Sequence, residues 1–255
     1  MPVGQVDGEP DYVGLLREMC DDFDQFQQRE GYKLNPKVRD PAQVALLYGL
    51  NAHAHYMARR CPPILGESTI AAIPIVRSVF ECGVMAQWLR LVPGSENTLM
   101  DDFQRQMGWI IDDFEAATEP DWRERATELR ERLTEIPDLS EEPRGAYSAR
   151  ITKICDLFVG GTDLYVSYRF LSAHTHAGAQ VASAWLGRDA AGWRVLDKPR
   201  ESLSFEPVAR TAISALGFSS RAFDDLVAKS PRSKFLDSVE QRAQLSTRLQ
   251  VKGTL

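Results

Sequence analysis

The sequence predicts an all-α fold, a helical bundle of about eight helices. Three observations predict it. Apolar residues recur at spacings of three and four along most of the chain, proline and glycine punctuate those stretches at helix-length intervals, and three stretches carry almost no charge. With 255 residues, 44% of them hydrophobic and 26% charged, the chain has the length and composition to bury a core.

Residues 1–10, polar with Gly and Pro, read as a flexible tail. Between Asp11 and Glu30, Val13, Leu16, Cys20, Phe23 and Phe26 form one apolar stripe, and Gly31 supplies the stop. Asp40-Pro41 offers an N-cap followed by a first-turn proline, opening a helix that runs to Arg59-Arg60, where Cys61-Pro62-Pro63 ends it. A third helix spans Ser68 to Val92, with Pro74 as a kink in its early turns or the mark of a later start. Helices follow over Asn97–Thr118 and Pro120–Ile136, then a loop over Pro137–Gly145 and a helix over Ala146–Val159. Gly160-Gly161-Thr162 break that helix before Asp163 opens the next. The stretch near 184–198 fits a small β-hairpin, with Gly187 to Gly192 between Trp185-Leu186 and Trp193-Arg194-Val195-Leu196. Glu206–Lys229 and Pro231–Gln250 are helical in period, the second mostly polar and read as projecting from the body. The expected organisation is a tail (1–10), a single helical domain (11–230) and a C-terminal helix and tail (231–255).

The net charge of −6 excludes a histone-like, tail-driven nucleic-acid binder but leaves room for a local basic site. The charge is uneven: residues 96–142 carry −10, residues 143–255 carry +6 and residues 1–95 carry −2. The acidic block reads as a solvated helical hairpin, and the basic half is where an anionic ligand would sit. Cys20, Cys61, Cys82 and Cys155 contain no Cys-x-x-Cys, so no zinc-ribbon or redox motif is written here. Ionisable residues or prolines interrupt the apolar runs, and the N-terminus lacks a signal pattern; a cytoplasmic protein with no membrane span is expected.

Ala42–Ala58 contains no Asp, Glu, Lys or Arg; Ser68–Leu89 contains only Arg77 and Glu81; Leu164–Gly187 contains only Arg169. Such segments are normally buried on every side, so these three are expected to be the central helices. Arg77, Glu81 and Arg169 should then find one another, find a ligand or line a wet cleft, because an unpaired buried charge costs several kcal/mol. Arg77 and Glu81 share a face at a spacing of four, and Glu81 can alternatively bridge to Arg169.

On the third of these helices an advance of about 100° per residue places Tyr165, Tyr168, Arg169, Ser172 and His176 on one narrow face. Val166, Phe170, Ala173 and Ala177 lie opposite, with His174 among them. The polar row reads either as a satisfied network that keeps helices in register or as a cleft. In a cleft, Arg169 would hold an anion, His176 would move a proton, and Ser172 and Tyr168 would orient groups. The four histidines form two pairs, His53-Ala-His55 and His174-Thr-His176. Residues two apart on a helix diverge by about 200° and cannot chelate one ion, so no metal site and no cofactor is expected.

The segment Arg169-Phe-Leu-Ser-Ala-His174-Thr-His176 resembles the HEPN superfamily of helical proteins, whose ribonuclease members carry an Arg separated from a His by four to six residues late in the bundle. The wider pattern, Arg77-Ser78-x-x-Glu81 with Tyr168-x-x-x-Ser172-x-x-x-His176, resembles a bacterial HEPN-related family of unknown function, over a core of about residues 40–180. The family's usual motif has a polar residue directly after the Arg, where this chain has Phe170. The resemblance implies metal-independent RNA cleavage at a cleft completed by a second subunit. His176 would be the general acid or base, Arg169 would stabilise the phosphorane, and Ser172 or Tyr168 would position the phosphate.

Three functions stay open: an endoribonuclease of this type acting in stress or phage defence, a non-catalytic dimerisation or binding module, and a nucleotide or small-ligand pocket lined by Arg77, Glu81, Tyr165 and Arg169. A homodimer is expected under the first two. RNA is the expected substrate of the first, and the sequence specifies no antitoxin or other protein partner.

Overall fold

The computed structural model describes residues 10–29, 33–36, 40–134, 149–190, 192–200 and 204–253. The expected tail at 1–9 and loop at 137–145 lie outside them. The described residues form an all-α bundle with one two-stranded hairpin. Helix α1 (Tyr12–Gln27) starts where the Asp11 carboxylate accepts from the Gly14 amide, and it buries Leu16, Cys20, Phe23 and Phe26. Asp40 caps α2 (Pro41–Ala58) in the same way, accepting from the Ala42 amide. Cys61-Pro62-Pro63 does more than end α2: it opens a short helix, α3 (Cys61–Glu67), because a first-turn proline gives up no hydrogen bond. Ser68 caps α4 (Thr69–Leu91), which contains Pro74 in its early turns, so that proline does not mark a later start. By length and composition α4 would suffice to cross a membrane, contrary to the expectation from interrupted apolar runs, and over half of its apolar window is buried inside the protein.

Helix α5 (Ser95–Ala116) turns at Ala117–Glu119 into α6 (Pro120–Thr134), and the pair forms the acidic hairpin expected of residues 96–142, with Phe114 packed on Trp122 at 4.8 Å. Helix α7 is only Ile151–Cys155, shorter than expected, because Phe158 pairs with Val251 of the C-terminal segment instead of continuing the helix. Gly160, at φ 71°, turns the chain into α8 (Gly161–Ala173), followed by α9 (Ala179–Ser183). Strands β1 (Leu186–Asp189) and β2 (Gly192–Val195) pair antiparallel, Leu186 opposite Val195, inside the expected 184–198 window. Helices α10 (Phe205–Asp224) and α11 (Ser233–Ala243) complete the fold.

The centre of the bundle is α4 packed on α10, with α2 against both. Small residues allow the close approach. A Cβ on Gly83 of α4 would stand 2.2 Å from the Ala215 carbonyl oxygen of α10, and Ala209 and Ala212 are fully buried beside it. Three expectations are corrected. First, the charge-poor stretch 164–187 is not central: α8 ends at Ala173, lies against one side of α4, and leaves Val166 60% and Phe170 36% exposed. Second, α2 is buried on one face only, with Tyr56 57% exposed on the other, and α10 takes the central position in place of α8. Third, α11 does not project. Leu236, Val239 and Ala243 are buried, and Arg242 donates to both Glu18 oxygens of α1 at 2.5 and 2.8 Å.

Arg221 of α10 makes that docking possible. Its guanidinium, 1% exposed, donates to Thr247 Oγ1 and the Ser233 carbonyl, both at 3.1 Å, and also to Asp237, with Glu240 at 3.4 Å. A buried cation that meets carboxylates and neutral acceptors together is tolerated, and here it fastens α11 and the C-terminal segment to the core.

Candidate functional site

Helix α4 is flanked by α2 on one side and α8 on the other. Between them its residues Pro74, Arg77, Ser78 and Glu81 are exposed or half-buried, forming the floor of a trough. Arg77 Nε donates to Glu81 Oε1 at 2.9 Å, the pair anticipated from the spacing of four, so Glu81 does not bridge to Arg169. Arg77 Nη1 lies 2.8 Å from His176 Nε2, and the guanidinium sits 5.5 Å from the centroid of the Tyr168 ring. A guanidinium has only N–H groups, so it must be the donor and His176 Nε2 the acceptor. The imidazole is therefore neutral with its proton on Nδ1. Arg77 Nη2 has no hydrogen-bond partner among the described residues and is available to an anion.

The turn after α8 brings His176 there. The Ser172 carbonyl accepts from the amides of Thr175 at 3.1 Å and His176 at 3.2 Å, and Thr175 Oγ1 donates to the Leu171 carbonyl at 2.8 Å. Ser172 Oγ is buried and has no protein hydrogen-bond partner among the described residues. Of the residues expected on one face, Tyr168 and His176 meet at Arg77. Arg169 does not join them. It is exposed, donates to Tyr165 OH at 3.4 Å, and stacks 6.0 Å from that ring. The helix stops at Ala173, so the helical projection that aligned Arg169 with His176 no longer holds beyond that point. His174 is half-buried: its Nδ1 bonds the Phe170 carbonyl at 2.9 Å and its ring packs on Phe170 at 4.9 Å.

The two histidine pairs split alike. His55 and His174 each direct Nδ1 to the carbonyl four residues back, Asn51 for the former at 2.8 Å. His53 and His176 are exposed and present Nε2 to neighbouring residues of α4: His53 to Ser78 Oγ at 3.4 Å, His176 to Arg77. His55 is a core residue, stacked on Phe23 at 4.1 Å. Burial, then the charge of Arg232, lowers its pKa to about 3. Burial likewise raises the Cys82 thiol, beside Glu81, to about 12, which removes it as a nucleophile at neutral pH.

The floor arginine was singled out in the sequence, but its partnership with His176 was not, because it joins residues 99 positions apart. His53 and Tyr56, stacked at 6.4 Å on the α2 side, were missed; the one available signal was the 200° divergence within His53-Ala-His55. A groove of about 580 Å³ lies between the start of α8, α10 and the C-terminal segment, lined by Leu164, Ser167, Arg210, Phe218 and Arg248 among others. Arg77, Glu81, Tyr165 and Arg169 do not line it, so the ligand pocket expected around those four is not this cavity. Among the described residues no group of three or more His, Cys, Asp or Glu is placed to hold a metal ion.

The fold and site together define a helical-bundle protein with an arginine–imidazole trough along α4. No family model matches the chain, and neither a curated protein nor a solved structure is significantly similar to it.

Proposed function

We propose that the protein is a metal-independent endoribonuclease, as the HEPN resemblance implies, but with its active centre at Arg77, Glu81, Tyr168 and His176 and with Arg77 in the role the resemblance gives to Arg169. The observation that carries the reading is the 2.8 Å contact between Arg77 Nη1 and a neutral His176 Nε2 in an open trough. A phosphodiester that takes the Arg77 N–H groups displaces the imidazole and frees its lone pair beside the bound phosphate. His176 then accepts the proton of the RNA 2′-hydroxyl, and Arg77 stabilises the charge that builds on the phosphorane oxygens. Glu81 holds the guanidinium through Nε, and Tyr168 packs against it, so the anion site is oriented before substrate arrives. Exposed Tyr56, with Arg60 3.7 Å over its ring, supplies a platform on which a base of single-stranded RNA can stack.

The test is incubation of purified protein with structured and unstructured RNA in EDTA. Cleavage is expected, falling about 10²- to 10⁴-fold in His176→Ala and by a similar factor in Arg77→Ala. An inert wild type, or a His176→Ala variant as active as wild type, overturns the reading.

A second reading, a non-catalytic dimerisation module, is favoured by the apolar outer side of α8, where Val166 is 60% and Phe170 36% exposed. It expects a homodimer by sedimentation that Val166→Glu dissociates. A folded wild-type monomer excludes it.

A further inference from the structure

We infer that His53 is the second proton-transfer group of this site, acting across the α4 floor of the trough from His176; the inference rests on the ribonuclease reading above. The two imidazoles come from separate parts of the chain, α2 and the turn after α8, yet they converge on consecutive residues of α4. Successive helical side chains diverge by about 100°, so Arg77 leans to the α8 side of the trough floor and Ser78 to the α2 side. A phosphate seated on Arg77 is thereby flanked by His176 on one side and by His53 on the other.

The contrast inside each histidine pair marks out the same two residues. His55 and His174 spend a ring nitrogen on their own helix carbonyl, which fixes them as packing groups. The remaining two are exposed and have only exchangeable polar partners, the Ser78 hydroxyl and the Arg77 guanidinium. His53 faces Ser78 on α4 and the ring of Tyr56 on its own helix, and Arg60 lies over that same ring; Arg77 and Glu81 are the charged groups beside Ser78.

The acceptor state of His176 Nε2 assigns the roles. His176 is the base and takes the 2′-hydroxyl proton as O2′ attacks phosphorus. His53, in its imidazolium form, gives a proton to O5′ as the P–O5′ bond breaks. The products are a 2′,3′-cyclic phosphate and a 5′-hydroxyl, with one proton taken up and one delivered, so no metal or further reactant is needed.

The experiment compares wild type, His53→Ala, His53→Gln and His176→Ala on ordinary RNA and on RNA with a bridging 5′-sulfur at the scissile linkage. A thiolate departs without a proton. His53→Ala and His53→Gln are expected to cut ordinary RNA about 10²-fold or more slowly, to cut the sulfur substrate at close to the wild-type rate, and to lose the alkaline limb of the pH–rate profile. His176→Ala should fail on both substrates. If wild type is active and depends on His176 while His53→Ala matches it on ordinary RNA, or loses equally on both substrates, the two-histidine assignment is overturned and the ribonuclease reading stands. If wild type cuts neither substrate, both are overturned. Circular dichroism of the exposed-site variants is expected to match wild type.

Discussion

Helix α8 carries only Asp163 and Arg169 over thirteen residues, whereas α10 carries Glu206, Arg210, Arg221 and Asp224 over twenty, yet α10 occupies the core and α8 its rim. Charge count alone gave the opposite ranking. The determinant is shape and pairing. Ala209, Ala212 and Ala215 give α10 a low-relief face on which α4 can lie, and Arg221 brings its own partners from α11 and Thr247. On α8 only Gly161 and Leu171 are fully buried; Tyr165, Tyr168 and Ser172 are held half-buried along α4, and Val166 and Phe170 face outward. The same difference separates stability from chemistry: α10 holds the bundle together and α8 delivers the site.

Truncating one arginine in each helix is the sharpest way to break this comparison. Arg221→Ala is expected to cost about 3 kcal/mol in urea unfolding, near the lower end for a broken buried pair because Asp237 is left 61% exposed and rehydrates. Equal losses for Arg221→Ala and Arg169→Ala would refute the assignment of core and rim. Next in size is Gly83→Ala, expected to cost roughly 2 kcal/mol because its methyl would collide with the Ala215 backbone, which cannot rotate away.

The acid limb of stability follows from His55. Its folded pKa, about 3, lies below that of an unfolded histidine, so the unfolded chain binds the extra proton as pH falls from about 6.5 towards 3. The stability it contributes is complete above about pH 6.5. Roughly 2 kcal/mol should disappear between about pH 6.5 and pH 5, and His55→Gln should flatten that slope in urea titrations. The smallest effect is Arg169→Ala, expected within about 0.5 kcal/mol of wild type because the side chain is exposed and meets only Tyr165.

Much of the local structure was legible in the chain itself. Asp40 caps the helix it was expected to cap, Asp11 and Ser68 cap helices that were expected to start at those residues, and the hairpin falls where two tryptophans flank a glycine-bounded turn. The site was half legible. Arg77, Glu81, Tyr168 and His176 stood out as rare polar groups on uncharged segments, and the Arg77–Glu81 pair follows from one turn of helix. The expected Arg169–His176 partnership did not form, because helical phase predicts neighbours only while the helix lasts, and α8 ends three residues before His176.

Sequence by itself therefore determined where α1, α2 and α4 begin, the acidic hairpin, and the divergence within each histidine pair, all consequences of forces acting over a few residues. Tertiary structure decided that α10 lies against α4, that Arg221 pins α11, and that Arg77 and Ser78 meet imidazoles from α8's turn and from α2. Those contacts join residues 12 to 131 positions apart in the chain. They depend on side-chain volume and on which buried charge finds a partner, quantities that exist only once the helices are packed.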